Sequence, residues 1–113
     1  MLNVANWKDA VPIVGPEKTE PALDCDEAVV KCSYLEPGQE TPPHIHQNAV
    51  DVIVIVEGEG EATVDGKKRR VSAGDVILNP SGTLHGIKND GSERLTKVVI
   101  QSPPPNRKTE RGS

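Results

Sequence analysis

The chain has 113 residues, with 13 basic and 17 acidic side chains, which gives a formal net charge of -4 at pH 7. This length fits one domain, and the acidic balance argues against nucleic acid or an anionic membrane surface as a partner. Aromatic residues make up only 2% of the chain, while Gly and Pro contribute 10 each, so an ordered core must concentrate the Val, Ile and Leu residues.

Membrane and export signals are not apparent in the sequence. The longest aliphatic run, residues 52–56, has five members, whereas a membrane-spanning helix needs about 20. The first fifteen residues lack a basic start followed by an apolar stretch. Cys25 and Cys32 lie seven positions apart and match no disulfide framework or metal pair, so reduced thiols are expected. These features predict a cytoplasmic protein with neither a membrane nor a nucleic-acid partner.

The N-terminal segment, residues 1–27, has the least regular pattern. Trp7 and residues 11–14 are consistent with a covering strand, and residues 16–26 with a loop. We expect this segment to cover the main β-domain or to lie at a dimer interface.

Residues 28–102 predict strands rather than helices, because Gly or Pro interrupts the pattern every few residues and β-branched residues cluster between the breaks. The predicted strands are 28–35, a short piece around 44–46, 51–56, 61–64, 67–71, 76–78, 83–88 and 94–101. Short strands at this spacing, with no helix between them, are typical of an all-β sandwich or barrel. We predict a single all-β domain, either a sandwich or a barrel.

The dipeptide Asp65-Gly66 predicts a tight hairpin between two of these strands. The resulting register sets Glu61 opposite Arg70 and Thr63 opposite Lys68, a charge pattern that fits a solvated face better than a nucleic-acid site. The same register sets Arg69 opposite Ala62. If that face points inward, Arg69 lies at the mouth of the barrel and contacts an anionic substrate.

Residues 52–56 are apolar at every position, which indicates that both faces of this strand are covered. The N-terminal segment or a second subunit would cover the outer face, so we expect a homodimer. Regular alternation places Asp51 and Gly58 on opposite faces, and a bulge near residues 58–60 would correct this. Residues 103–113, with three prolines and three basic side chains, predict a flexible tail.

The three histidines of the chain form a candidate metal site with one acidic residue. His44 and His46 are two residues apart and project from the same face of an extended strand. Asp51 follows after a short turn, and His85 lies on another predicted strand. Three imidazoles and a carboxylate suit one divalent transition metal, namely Fe, Mn, Ni, Cu, Co or Zn, and leave positions open for water or substrate.

The residues around these four resemble the two motifs of the cupin superfamily, G-x5-H-x-H-x(3,4)-E-x6-G and G-x5-P-x-G-x2-H-x3-N. Nine of the ten fixed positions match, and Asp51 stands where the family usually has Glu. The other matching positions are Gly38, His44, His46, Gly58, Gly74, Pro80, Gly82, His85 and Asn89.

The resemblance implies an all-β domain that forms a small antiparallel β-barrel, with one metal held inside by His44, His46, Asp51 and His85. Because Asp is one methylene shorter than Glu, Asp51 either ligates the metal directly, contacts it through water, or has a structural role. The resemblance also implies positive φ or close backbone approach at the motif glycines, and turns at Pro80 and Asn89.

Small cupins of this kind include dioxygenases, decarboxylases and isomerases, so the resemblance favours a metal-dependent enzyme acting on a small polar molecule, with a slight preference for iron or manganese oxygen chemistry. The alternative is a binding or sensing cupin for a sugar or another small molecule, without catalysis. Tyr34 and Arg69 are candidate substrate contacts, although core packing is an alternative for Tyr34. Since Tyr34 is the only aromatic residue near the site, an aliphatic or carbohydrate-like substrate is favoured.

Overall fold

A computed structural model describes residues 3–13 and 21–104. One short 3-10 helix, η1, spans Trp7–Asp9. The described residues form ten strands, namely β1 (Val11–Pro12), β2 (Leu23–Asp24), β3 (Val29–Leu35), β4 (Glu40–Ile45), β5 (Val50–Glu57), β6 (Glu59–Val64), β7 (Lys67–Ser72), β8 (Val76–Asn79), β9 (Leu84–Lys88) and β10 (Leu95–Ser102). Within these ranges the model contains no helix that is both long and apolar enough to cross a membrane.

The strands form two sheets that face each other across one core. The first sheet has the order β1-β3-β10-β5-β8, with β2 also paired to β3, and the second has the order β4-β9-β6-β7. Both sheets contribute to the buried cluster, which consists of Leu35, Ile53, Ile55, Ala62, Val71, Ile87, Leu95 and Val99. The predicted all-β fold is therefore confirmed.

The sheets do not close into the barrel that was predicted. Among the described strands, no backbone pairing joins the first sheet to the second. On one side the edge strands β7 and β8 instead line a groove of about 310 Å³. The long side chains of Lys67 and Arg69 on β7 are among those that line it. The architecture is a two-sheet sandwich that is open along this groove.

The hairpin register between β6 and β7 is confirmed. Glu61 pairs with Arg70, Ala62 with Arg69 and Thr63 with Lys68. Asp65 and Gly66 both have positive φ, at 49° and 84°, as a two-residue turn of this kind requires. The local sequence was sufficient to define this part of the second sheet.

A bulge does occur, but it is not at residues 58–60. Thr96 pairs with Glu57 while Lys97 pairs with Ile55, so the extra residue is Val56 on β5. Gly58, with φ of 87°, lies just after the end of β5, and a Cβ there would stand 2.2 Å from the carbonyl oxygen of Arg94. The predicted bulge position was therefore wrong, and close backbone approach explains the glycine.

The two faces of β5 meet different surroundings. Ile53 and Ile55 lie in the core, whereas the alternate residues Val52, Val54 and Val56 are half-buried on the outer face. Helix η1 packs against β3 and β10. Further along the same sheet, Val76 and Leu78 of β8 are 64% and 61% exposed. The tail at 105–113 and part of the N-terminal segment, residues 14–20, lie outside the described residues.

Candidate metal centre

The candidate site lies between the two sheets, with one strand of the first sheet and two of the second contributing side chains. His44 on β4 pairs directly with His85 on β9. His46 follows the end of β4, and Asp51 projects from β5 in the opposing sheet. Residues separated by up to 41 positions therefore meet because the sheets stack face to face.

One potential ligand atom from each of the four side chains lies within 4.8 Å of the others. The Nε2 atom of His85 is 3.1 Å from Oδ2 of Asp51, and Nε2 of His46 is 3.8 Å from the same oxygen. The ring of His44 lies 4.9 Å from that of His46 and 4.5 Å from that of His85, measured between centroids. Although Asp51 is shorter than the usual Glu, its carboxylate reaches the cluster.

Backbone carbonyls orient two of the imidazoles. Nδ1 of His44 lies 2.9 Å from the carbonyl oxygen of Pro42, and Nδ1 of His85 lies 3.1 Å from that of Thr83. When Nδ1 carries the proton and donates it to these oxygens, Nε2 keeps a lone pair for a metal. This is the usual arrangement behind metal-binding histidines. In His85 this tautomer is the alternative to an Nε2–H hydrogen bond with Oδ2 of Asp51, so a bound metal would replace that bond.

The protonation tendencies of the cluster suit metal binding. Burial lowers the pKa of the His46 imidazole, although the charge of Asp51 opposes the shift. Burial alone would raise the pKa of the Asp51 carboxyl, but the hydrogen bond with His85 and the nearby His46 outweigh it and lower that pKa. A neutral imidazole and an ionised carboxylate are the forms in which these groups bind a metal.

Unpaired oxygens provide a structural test of whether the residues present fit a metal. The Oδ1 atom of Asp51 is buried and has no hydrogen-bond partner among the described residues. Asn79 and Gln101, which pair with Asp51 from the neighbouring strands, each present a similarly unpaired side-chain oxygen. A buried carboxylate oxygen without a donor is costly, and a cation bound by the cluster would satisfy it. The donor set therefore fits a divalent metal.

The two predicted substrate contacts lie away from this cluster. Tyr34 is on the outer face of β3, and the guanidinium of Arg94 stacks on its ring at 3.7 Å from the centroid. Arg69 is exposed and lines the groove between β7 and β8. The structure brings together the three histidines and Asp51, and neither Tyr34 nor Arg69.

Two lysines near the site were missed by sequence reasoning. Lys97 on β10 is buried at 6% exposure, and its charge interacts with those of Asp51 and Lys31. Lys31 on β3 also acts on the pKa of His46. Alternation along the final strand could have identified Lys97, since it shares a face with Val99 and Gln101, but only the register with β5 shows that this face is internal.

Asn89 has a larger structural role than the predicted turn. Its side chain is fully buried and donates hydrogen bonds of 2.8 Å to the carbonyl oxygens of both Leu35 and Glu93. Its Oδ1 atom accepts a third from the amide of Gly91. These bonds join the loop after β9 to the end of β3.

The comparisons with known proteins agree with this fold and site. A family model described as a cupin domain matches residues 33–101. Since the match spans more than half of the chain, the protein belongs to the cupin family, as the motif resemblance predicted.

Individual relatives extend the comparison. A gentisate 1,2-dioxygenase of Ralstonia sp is 51% identical over 68 residues, covering 58% of this chain and 19% of the dioxygenase. An oxalate-binding protein of Thermotoga maritima is 36% identical over 66 residues, covering 58% of this chain and 54% of that protein. The chain thus spans about a fifth of the first relative's length and about half of the second's.

Among solved structures, a Klebsiella pneumoniae protein with a double-stranded β-helix domain has a TM-score of 0.82. It is 27% identical, and the match covers 91% of each chain. This similarity extends over nearly the whole chain and supports the two-sheet arrangement described above.

Proposed function

We propose that this protein is a metal-dependent cupin in which His44, His46, Asp51 and His85 hold one divalent transition metal, and that it is an enzyme acting on a small polar molecule. The observation that carries the proposal is the convergence of these four side chains between the sheets, where the buried Oδ1 of Asp51 has no hydrogen-bond donor among the described residues. A metal bound there would act as a Lewis acid or an oxygen-binding centre.

The residues of the chain have separate tasks in this proposal. His44 and His85 are held in position by the carbonyls of Pro42 and Thr83. Asp51 contributes the negative charge that offsets part of the charge of the cation. His44 and His46 are half-buried whereas Asp51 and His85 are buried, so the two former residues mark the side of the cluster nearest solvent. The amide of Gln101 lies 3.4 Å from Nε2 of His46, a contact that a metal bound to this nitrogen would replace.

Dioxygenase chemistry is the leading candidate within the enzyme class. It is supported by the Ralstonia relative, which is named as a dioxygenase, and by a donor set of three imidazoles and a carboxylate that suits redox-active iron or manganese. The second candidate is binding without turnover. The Thermotoga relative is named as an oxalate-binding protein, so this alternative also rests on a specific similarity.

Turnover distinguishes the two candidates. The protein would be loaded with Fe²⁺ or Mn²⁺ and incubated with small keto acids, sugar acids and catechols, while oxygen uptake and product formation are followed. Oxygen-dependent product formation supports the dioxygenase. Saturable binding without product supports the binding protein and contradicts the enzyme.

A matched pair of variants links any activity to the cluster. Asp51→Asn removes one charge without changing size and should abolish turnover. Asp90→Asn removes a surface carboxylate that pairs with Arg70 at 2.6 Å and should leave turnover unchanged. Equal activity in Asp51→Asn and the unsubstituted protein would contradict the proposed role of Asp51.

The expected homodimer is also a proposal, and it would place a second copy on the outer face of the first sheet. Val76 and Leu78 are exposed apolar residues on this face. Light scattering after size exclusion should give twice the chain mass, and Leu78→Glu should give the monomer. Lys68→Glu, at an exposed residue of β7 in the second sheet, serves as the control. A monomeric unsubstituted protein would contradict the dimer.

The cytoplasmic location remains a prediction from sequence.

A further inference from the structure

Lys97 occupies an interior position that packing alone does not explain. It pairs with Ile55 of β5 and Ser33 of β3, and Leu95 and Val99, on either side of it along β10, both belong to the core cluster. Its side chain therefore points between the two sheets. Only 6% of the residue is exposed, and lysine is rarely buried to this degree without a charge partner.

The positive charge of Lys97 has no direct partner in the described part of the chain. Among residues 3–13 and 21–104, no hydrogen bond or ion pair involves the ammonium group of Lys97. Asp51 is the carboxylate that acts on it electrostatically, but the Oδ2 of Asp51 is already engaged by His85. An unpaired ammonium group in a residue with so little contact with water is unfavourable, and a bound anion would relieve this cost.

Lys31 adds a second positive charge to the same region. It pairs with Val99, one inward-facing position along from Lys97. Its charge acts on both Lys97 and His46, so Lys31 contributes positive charge to the surroundings of both groups. Two cations on the inner face of one sheet favour an anion at this place.

We propose that Lys97, assisted by Lys31, binds the carboxylate of a small anionic substrate. A further oxygen of the same substrate, outside this carboxylate, would face the metal cluster. This inference rests on the proposed function and specifies its substrate class: small carboxylates with a further oxygen donor, such as keto acids, hydroxy acids or dicarboxylates. Lys97 fixes the anionic end of the molecule. The apolar neighbours Ile55 and Val99 keep water away from the ion pair and strengthen it.

Calorimetric titration of the Mn²⁺-loaded protein with oxalate, pyruvate and glycolate tests this inference. We expect saturable binding of at least one of the three. Lys97→Met, which keeps an unbranched stem of similar volume and removes the ammonium group, should weaken that binding roughly 10- to 100-fold, the loss typical of a charge-assisted hydrogen bond. Lys31→Met should cause a smaller loss. Lys68→Met, at an exposed residue of β7, should cause none.

Metal content, measured in the same samples, separates this inference from the proposed function. Lys97→Met should retain the metal, so that lost carboxylate affinity reports on the lysine alone. If the unsubstituted protein binds no metal, the proposed function fails. The anion site would still be supported if a carboxylate protects the metal-free protein against unfolding and Lys97→Met loses this protection. Unchanged affinity in Lys97→Met, no carboxylate binding in either form, or a preference for inorganic phosphate would overturn the inference.

Discussion

Lys97→Met should make the metal-free protein more stable, because the substitution removes a buried charge that folding must desolvate. Burial lowers the pKa of the Lys97 ammonium from 10.5 to about 8, with the charge of Asp51 opposing the shift and that of Lys31 adding to it. At about 1.4 kcal/mol per pKa unit, this difference corresponds to about 3 kcal/mol of lost stability. Methionine fills a similar volume without the charge, so a gain approaching this figure is expected at pH 7.

The gain should depend on pH in a defined direction. Below pH 8 Lys97 is protonated in both the folded and the unfolded chain, and the full cost of burial is present. Between pH 8 and 10.5 the folded chain releases this proton while the unfolded chain keeps it, so the stability of the unsubstituted protein rises relative to that of the variant. The advantage of Lys97→Met should therefore shrink across this range.

Urea unfolding of both proteins at several pH values between 7 and 10.5 measures this difference. Lys68→Met provides the control and should change the free energy of unfolding by less than about 0.5 kcal/mol, as surface substitutions usually do. A variant no more stable than the unsubstituted protein at pH 7, or a gain that is constant across the pH range, would refute the assignment of Lys97 as an unpaired buried cation.

Two further predictions concern the framework that positions the site. Gly58→Ala should lower the free energy of unfolding by more than Gly38→Ala. Both glycines have positive φ, whose strain costs about 1 kcal/mol in an alanine, but only at Gly58 would a Cβ collide with the backbone of Arg94. Equal losses in urea unfolding would contradict the steric argument. Asn89→Ala should cost about 2–4 kcal/mol because it removes the donor from the buried bond to the Leu35 carbonyl and from the part-buried bond to the Glu93 carbonyl. A loss below about 0.5 kcal/mol in the same assay would show that these bonds do not hold the loop.

The sequence was most informative where local chemistry decides the structure. Two turn residues, Asp65 and Gly66, were enough to predict the register of β6 and β7, because few residue pairs adopt positive φ at both positions. The histidine spacing likewise identified the side chains that cluster between the sheets, since residues two apart on a strand share a face.

The features that the sequence did not reveal depend on contacts between distant segments. The bulge at Val56 arises from the pairing of β5 with β10, and local alternation carries no information about that partner. The internal position of Lys97 depends on the same register. Strand spacing could not distinguish a closed barrel from a sandwich, because closure depends on whether β7 and β8 approach each other in space.

Metal content is the measurement that tests the central claim most directly. Protein purified without a metal-affinity step would be analysed by elemental analysis, together with His44→Ala and His85→Ala. We predict about one transition-metal ion per chain in the unsubstituted protein and a clear loss in both variants, since each removes one of only four donors. Full metal content in both variants would show that any bound ion lies elsewhere and that the cluster between the sheets is not the metal site.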